Sequence, residues 1–184
     1  MKTAILALLA LLAVQAGAQG WQEQEVSGFT LRWATTGSNA LSVELTGPTT
    51  GWVAAGFDPD SMMLGANIII GYYAGGTFIR DDYGWQLTSH RDDILLGGTS
   101  DVEIDGGGEA GGETEIRFTI PLDSGDQYDK PLEAGQTYTV LLAHGPDGAD
   151  NFTTQHEFVT MTQIVVWGLG LESTTWGAVK ESME

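Results

Sequence analysis

Five methionine and histidine side chains in this sequence are candidate ligands for a transition metal outside a cysteine site. They are Met62, Met63, His90, His144 and His156. A thioether at the edge of an apolar strand either fills a gap in the core or binds a soft metal. Because the chain has no cysteine, zinc–thiolate sites, iron–sulfur clusters, covalent c-type haem and disulfides are excluded. A methionine and a histidine from distant strands remain as the ligand pair of a six-coordinate b-type haem.

The two methionines belong to Phe57–Tyr73, which reads FDPDSMMLGANIIIGYY. The three histidines differ in context. His90 lies in a polar loop and is expected at the surface. His144 ends an apolar strand, where it is either a hydrogen-bonding residue or a site residue. His156 enters a strand with polar alternate positions, so a structural role and a ligand role both stay open.

Other chemistries have less support in the sequence. There is no Gly-x-Ser-x-Gly elbow, and although acids are plentiful, nothing singles out a pair for hydrolysis. Two acidic clusters are candidates for structural calcium, the run Asp147–Asn151 and the trio Asp123, Asp126 and Asp129. Neither has the twelve-residue spacing of an EF-hand loop, so solvated acidic turns are the competing interpretation.

Residues 1–18 have the form of a signal peptide. Lys2 precedes the apolar run Ala4–Val14, and Ala16-Gly17-Ala18 has the small-x-small form of a cleavage site. The run is too short to anchor the chain in a bilayer. We therefore expect an exported mature protein over 19–184, periplasmic, cell-surface or secreted, with no membrane insertion.

The chain is strongly acidic, with a formal net charge of −18. Loss of Lys2 with the signal would make the mature chain more acidic still. Such a surface repels nucleic acid and anionic membranes, and it favours a cationic or neutral partner.

Short alternating strands dominate the mature sequence. Phe29, Leu31 and Trp33 alternate with polar residues, and Asn67–Ala74 and Thr77–Tyr83 form a hairpin pattern around Gly75-Gly76. With no clear helical period, the pattern predicts an all-β, two-sheet antiparallel β-sandwich of about nine to eleven strands, immunoglobulin-like in architecture.

The predicted organisation is a single domain over 19–184 with a core of about 26–166. The extension 168–184 is ambiguous between an edge strand and a short helix. Three stretches are expected to lack regular strands: a loose region at 84–100, a glycine–acid loop at 106–112 and a polar loop at 123–135.

The sequence resembles the DOMON domain family over about 26–166. The first matching blocks are Gly51–Phe57 (GWVAAGF), Met63–Asn67 (MLGAN) and Ile68–Tyr72. Weaker blocks are Asp82-Tyr83, Glu115–Pro121, Tyr138–His144 and His156. This family includes the haem-binding cytochrome domain of cellobiose dehydrogenase as well as members that bind sugars or other ligands.

The resemblance implies axial ligands for a noncovalent haem b. By position the methionine is Met63, with Met62 as the alternative, and the histidine is His156, with His144 as the alternative. Two positions depart from the family pattern: Asn67 stands where an acidic residue is common, and Gln155 where an aromatic residue is expected.

A haem also needs a flat apolar slot and groups for its propionates. The sequence offers arginines for the propionates at Arg80 and Arg91. Candidate lining residues are Ile68 to Ile70, Tyr72, Phe78, Leu141 and Phe158. With both axial positions filled, the expected role is one-electron transfer to an unidentified redox partner protein or domain, rather than catalysis.

The competing interpretation is a nonredox carbohydrate- or ligand-binding module that uses exposed aromatics. The candidates are Trp21, Tyr72, Tyr73, Trp85 and Trp176. For most of these residues, ordinary packing in the core or at the edge of the sandwich is the more common role.

Overall fold

The computed structural model describes residues 20–37 and 39–167, which fold into eleven strands and one short helix. The signal segment at 1–18 and the extension at 168–184 lie outside the described residues. The first six strands are β1 (Gln22–Val26), β2 (Phe29–Thr36), β3 (Ala40–Gly47), β4 (Val53–Phe57), β5 (Asn67–Tyr73) and β6 (Thr77–Gln86). There follow β7 (Ser89–Asp92), α1 (Asp93–Leu96), β8 (Glu103–Ala110), β9 (Glu113–Pro121), β10 (Thr137–His144) and β11 (Phe158–Val165).

The strands form two antiparallel sheets. One sheet has the order β1-β2-β3-β9-β8, and the other has the order β11-β10-β4-β5-β6-β7. The predicted two-sheet antiparallel sandwich of nine to eleven strands is confirmed. Within the described ranges, no helix has the length and apolar character needed to cross a bilayer.

The main core lies between the sheets and follows from the period-two alternation of each strand. Phe29, Leu31 and Trp33 of β2 face the interior at 5% exposure or less, and from the other sheet Val53 and Phe57 meet them. Because these positions alternate, the intervening residues of β4, β5 and β10 point to the outer face of the six-stranded sheet. That face carries a second, smaller apolar cluster.

The predicted hairpin around Gly75-Gly76 is confirmed by β5 and β6. Their register pairs Tyr73 with Thr77 and Asn67 with Tyr83. Gly75 occupies the left-handed region (φ 72°), and the Ala74 N–H donates to the Gly76 carbonyl oxygen at 3.0 Å.

The expected glycine–acid loop at 106–112 is wrong for most of its length, because residues up to Ala110 belong to β8. This edge strand pairs with β9 through its backbone, which needs no side-chain pattern. Position 107 requires glycine, because a Cβ there would lie 2.4 Å from the Glu115 carbonyl oxygen. A bulge between Ile104 and Gly106 further obscures the alternation.

The region at 84–100 is more ordered than expected. It contains the end of β6, all of β7 and α1. The Asp92 carboxylate caps α1 by accepting from the Ile94 N–H at 2.9 Å, and Gly97 ends it with φ 96°. The segment from Leu87 to Leu95 therefore forms one side of a cavity on the outer face of the six-stranded sheet.

Candidate functional site

A cavity of about 840 Å³ lies on the outer face of the six-stranded sheet. This volume is within the range of small-molecule and cofactor sites. Its floor consists of the outward residues of β4, β5 and β10. They are Ala54, Gly56, Ile68, Ile70, Leu141 and Ala143.

Small residues keep the middle of this floor low. A Cβ added at Gly56 would lie 3.2 Å from Ile68 Cγ1 and 3.4 Å from Leu141 Cβ. Ala54 and Ala143, which are paired across β4 and β10, flank this position. The sequence thus leaves a flat apolar depression where larger side chains would fill the space.

The methionine turn forms one wall of the cavity. The Met63 N–H donates to the Leu87 carbonyl oxygen at 3.1 Å, and the Ala66 N–H donates to the Met63 carbonyl oxygen at 3.1 Å. The Gly65 N–H donates to the Gly84 carbonyl oxygen at 2.7 Å. These bonds fix the backbone of Met63 against β6.

The two methionines differ in their surroundings although both line the cavity. Met63 is half-buried and packs against the apolar cluster of the outer face. Met62 is 59% exposed and has a left-handed backbone conformation (φ 51°). The pair therefore offers one held thioether and one solvated thioether.

His156 lines the same cavity from the segment that joins β10 to β11. The Trp52 indole N–H donates to the Thr154 carbonyl oxygen at 3.2 Å, and the Glu157 N–H donates to the His144 carbonyl oxygen at 2.9 Å. Asn151 Oδ1 accepts from the backbone N–H groups of Thr153 and Thr154. The loop that carries His156 is thus fixed by hydrogen bonds on both sides of that residue.

The methionine turn and His156 approach from opposite ends of the sheet. The turn connects β4 to β5 next to Phe57, which is paired with Val140 of β10. His156 enters β11 near the other end, where Val53 is paired with His144. A planar ligand that stood edge-on on this floor would therefore face a thioether on one side and an imidazole on the other.

Basic side chains border the cavity in this otherwise acidic protein. Arg80, His90 and Arg91 all line it. Asp82, whose side chain is fully buried, pairs with both Arg80 and His90. Burial works to raise the pKa of Asp82, but the hydrogen bonds from His90 and Arg80 outweigh it and hold that pKa below its usual value.

The mouth of the cavity is apolar. Five lining side chains are more than two-fifths exposed at its rim: Met62, Leu87, Leu95, Val159 and Met161. Exposed apolar side chains gathered around one opening are typical of a binding site.

The other predicted site residues are placed unevenly. Ile70 lines the cavity, and Tyr72 stacks on Phe78 (5.1 Å) and contacts Phe152 at the cavity edge (5.0 Å between ring centroids). His144 and Phe158 do not line it. They stack on each other and on Phe29 of the core, because the alternation of β10 turns His144 toward the interior.

Sequence reasoning missed His90, which was expected at the surface, and it did not single out Phe152. Both line the cavity, and the Arg80 guanidinium lies 4.6 Å from the centroid of the Phe152 ring. One feature of the sequence could have indicated this contact. Asp82 lies in an alternating strand, and a buried acid at such a position needs basic partners.

The predicted calcium runs are used as turn caps. Asp147 accepts from the Thr50 N–H at 3.0 Å, Asp123 from the Gly125 N–H at 3.0 Å, and Asp126 from the Tyr128 N–H at 2.9 Å. Asp129 differs, since it is drawn into a buried acidic cluster on the other side of β6.

The aromatics predicted for sugar stacking are dispersed. Trp85 is 38% exposed beside Arg91, whereas Trp21 packs on Arg32 of the other sheet. Trp176 lies outside the described residues. The described aromatics do not form one platform.

The chain is similar in sequence to known proteins. The family model for the DOMON domain matches residues 25–145. The mouse (Mus musculus) DBH-like monooxygenase protein 2 is 28% identical over 121 residues, which is 65% of this chain. The match covers 19% of that relative's length.

Solved structures with the same fold include two cytochrome domains. The cytochrome b domain of pyranose dehydrogenase from Coprinopsis cinerea aligns with a TM-score of 0.52 at 13% identity, over 74% of this chain and 75% of that one. The cytochrome domain of cellobiose dehydrogenase from Myriococcum thermophilum aligns with a TM-score of 0.54 at 7% identity, over 79% and 81%. At these identities the likeness concerns the fold alone. On the family match, which covers most of the described sandwich, the chain belongs to the DOMON domain family.

Proposed function

We propose that this chain is an exported DOMON domain that binds haem b noncovalently and carries single electrons, with Met63 and His156 as axial ligands. One observation carries the proposal: a thioether and an imidazole border the same cavity from opposite ends of its floor. Together they supply the ligand set of a six-coordinate b-type haem.

The cavity fits the shape and chemistry of a macrocycle. Gly56 and the alanines Ala54 and Ala143 leave the middle of its floor free for the edge of a macrocycle, and its rim is apolar. Arg80 and Arg91 stand at its border, where guanidinium groups can make charge-assisted hydrogen bonds to propionates.

Met63 is favoured over Met62 because its backbone N–H is hydrogen-bonded to Leu87, next to β6, and its side chain is half-buried. A ligand held in place loses less conformational entropy on binding than a solvated one. His156 is favoured over His144, whose ring packs on Phe29 on the opposite side of the sheet.

A bound haem would supply a reversible one-electron couple. With Met63 and His156 both holding the iron, no position would remain open for oxygen or substrate, and the methionine would favour a raised potential. This assigns the domain the role of electron carrier rather than catalyst.

The proposed partner is a redox protein or domain with a basic docking surface. The net charge of −18 would steer such a partner to the carrier, and the steering would weaken with added salt. Export rests on the signal-like segment 1–18. The two structural neighbours, cytochrome domains of pyranose dehydrogenase and cellobiose dehydrogenase, support this role.

Haem titration of the purified protein tests this function. We expect one haem per chain and a low-spin absorption spectrum. His156→Gln should abolish that spectrum, whereas His144→Gln should retain it in whatever fraction is folded by circular dichroism. Uptake that is not stoichiometric, or a His156→Gln spectrum identical to that of the parent, would refute the assignment.

A nonredox ligand-binding module is the second candidate. The arginines Arg80 and Arg91 favour it, since the same cavity could hold another apolar ligand with an acidic group. Folded parent protein that takes up no haem would favour this alternative.

A further inference from the structure

A group of acidic side chains lies on the face of β6 that points away from the cavity, and the proposed haem site does not include it. Asp81 is 1% exposed and Asp93 is 0% exposed, and Asp129 is half-buried. One carboxylate oxygen from each lies within 4.8 Å of the others. Because side chains alternate along a strand, Asp81 faces the sandwich interior while its neighbour Asp82 faces the cavity.

These three carboxylates lack the cationic partners that Asp82 has. In the part of the chain that the structure describes, no Lys, Arg or His nitrogen lies within 4.0 Å of them. Lys130, next to Asp129 in sequence, pairs instead with Asp60 at 2.7 Å. Buried negative charge without a counter-charge is strongly unfavourable.

Asn67 is an independent sign that a partner is needed at this position. Its side chain is 6% exposed, and its Nδ2 lies 2.7 Å from Asp129 Oδ1, which places the amide against the acids. Its Oδ1 accepts no hydrogen bond. Buried oxygens of this kind are normally satisfied by protein, water or an ion.

The unsatisfied atoms concentrate in this one place. Among the described residues, five buried side-chain polar atoms lack a hydrogen-bond partner, and four of them belong to this cluster. They are Asn67 Oδ1, Asp81 Oδ1, Asp93 Oδ1 and Asp93 Oδ2. All four are oxygens, so they call for a cation or for protons.

We propose that Asn67, Asp81, Asp93 and Asp129 bind a calcium ion. Calcium takes six to eight oxygen ligands at 2.3–2.6 Å, so two ligands of one ion lie up to about 5 Å apart. The 4.8 Å spread of the carboxylate oxygens meets this limit. Asp93 has both oxygens free for bidentate binding, and water can reach the half-buried side of Asp129.

The donor set selects against the other common ions. Zinc sites in proteins are dominated by nitrogen and sulfur ligands, and this set has neither. Magnesium demands a smaller, near-octahedral shell, keeps several waters and is usually held by one or two carboxylates. Three carboxylates and an amide oxygen suit calcium better.

The ion would join four separate segments of the fold. Asn67 begins β5, Asp81 lies in β6, Asp93 begins α1, and Asp129 lies between β9 and β10. Direct contacts already link two of these segments, since the Tyr128 hydroxyl donates to the Leu96 carbonyl oxygen at 2.8 Å. The ion would thereby support α1, whose Leu95 lines the haem cavity.

Calorimetric titration of chelator-treated, dialysed protein with calcium chloride tests the site. We expect one calcium ion per chain and a melting temperature that rises with calcium and less with magnesium. A folded parent that binds no calcium up to about 10 mM, well above the dissociation constants of weak extracellular sites, overturns the proposal.

Asp93→Asn gives the sharper arm of the experiment. Loss of a ligand should weaken calcium binding at least about tenfold. Without calcium the variant should melt no lower than the parent, because Asn cannot acquire the charge that this buried position opposes, and with calcium it should melt below the parent. Asp150→Asn makes the same charge change at an exposed position and should behave as the parent in both conditions.

Unchanged calcium affinity in Asp93→Asn would overturn the assignment. If that variant does not fold, Asp129→Asn carries the same expectation at a half-buried position. Haem-free and haem-loaded protein should give the same calcium result, so the failure of one proposal would be distinguishable from the failure of the other.

Discussion

At the scale of residues, two adjacent aspartates of β6 have opposite electrostatic environments. Asp82 pairs with Arg80 and His90 at the cavity, and its pKa is lowered. Asp81 faces acids, and burial together with Asp129 raises its pKa to about 7. The two faces of one strand therefore carry aspartates in opposite electrostatic environments.

The buried acids make the stability of metal-free protein depend on pH. Burial, with Asp81 and Asp129 as the nearest charges, raises the pKa of Asp93 to about 8, and burial raises that of Asp129 to about 6. The remaining charges acting on Asp93 are also acids, Asp126 and Asp82. An unfolded aspartate has a pKa near 3.9, so the folded state binds more protons than the unfolded state between about pH 4 and pH 8.

The free energy of unfolding should therefore fall as the pH rises through this window. The contribution is fully present below the unfolded pKa and is lost as the pH passes the raised folded values. Urea unfolding in chelator from about pH 5 to pH 8.5 should show the parent losing stability relative to Asp93→Asn. A constant difference between the two proteins would contradict the raised pKa values.

The sequence predicts which side chains could serve as metal ligands, but it does not predict which side chains contact one another in the cavity. Met63 and His156 were predicted as ligands from their chemistry and from a family resemblance. The sequence did not place His90 at the cavity, because that position depends on its pairing with Asp82, which only the folded β6–β7 pair brings about.

At the scale of elements, the methionine turn depends on one glycine of β6. A Cβ at Gly84 would lie 1.6 Å from the Met63 carbonyl oxygen, so the turn would have to move away from the strand. The Gly65–Gly84 hydrogen bond would break with that movement. The position of Met63 is thus set by the lack of a side chain 21 residues further along the chain.

Gly84→Ala should destabilise the domain by about 3 kcal/mol, as overpacking against backbone does, and should weaken haem binding. The matched control is Gly108→Ala in β8, where a Cβ meets nothing within 4 Å and φ is not positive. The control should stay within about 0.5 kcal/mol of the parent in urea unfolding. Equal effects of the two substitutions would show that the turn does not rest on Gly84.

Strands with alternating side chains were predictable, and edge strands without them were not. The β5–β6 hairpin follows from its pattern and its Gly75-Gly76 turn. By contrast, β8 consists largely of glycine and acid and forms because β9 offers a free backbone edge. Pairing of this kind leaves little trace in the sequence of the added strand.

At the scale of the whole molecule, the two faces of the six-stranded sheet have different surroundings. The interior face of the six-stranded sheet joins the main core, whereas its outer face carries the cavity. The alternation that predicts the fold also predicts that a second face exists. It does not predict that Ser89–Asp92, α1 and the segment before β11 rise around that face, since those contacts are long-range.

The central claim is that Met63 and His156 ligate one haem. Its most direct test is the absorption spectrum of reduced, haem-loaded Met63→Leu beside that of Met62→Leu, two nearly volume-conserving changes at adjacent positions. We predict that Met63→Leu loses the low-spin spectrum while Met62→Leu keeps it. A Met63→Leu spectrum identical to that of the parent, or the loss of the low-spin bands in Met62→Leu alone, would contradict the claim.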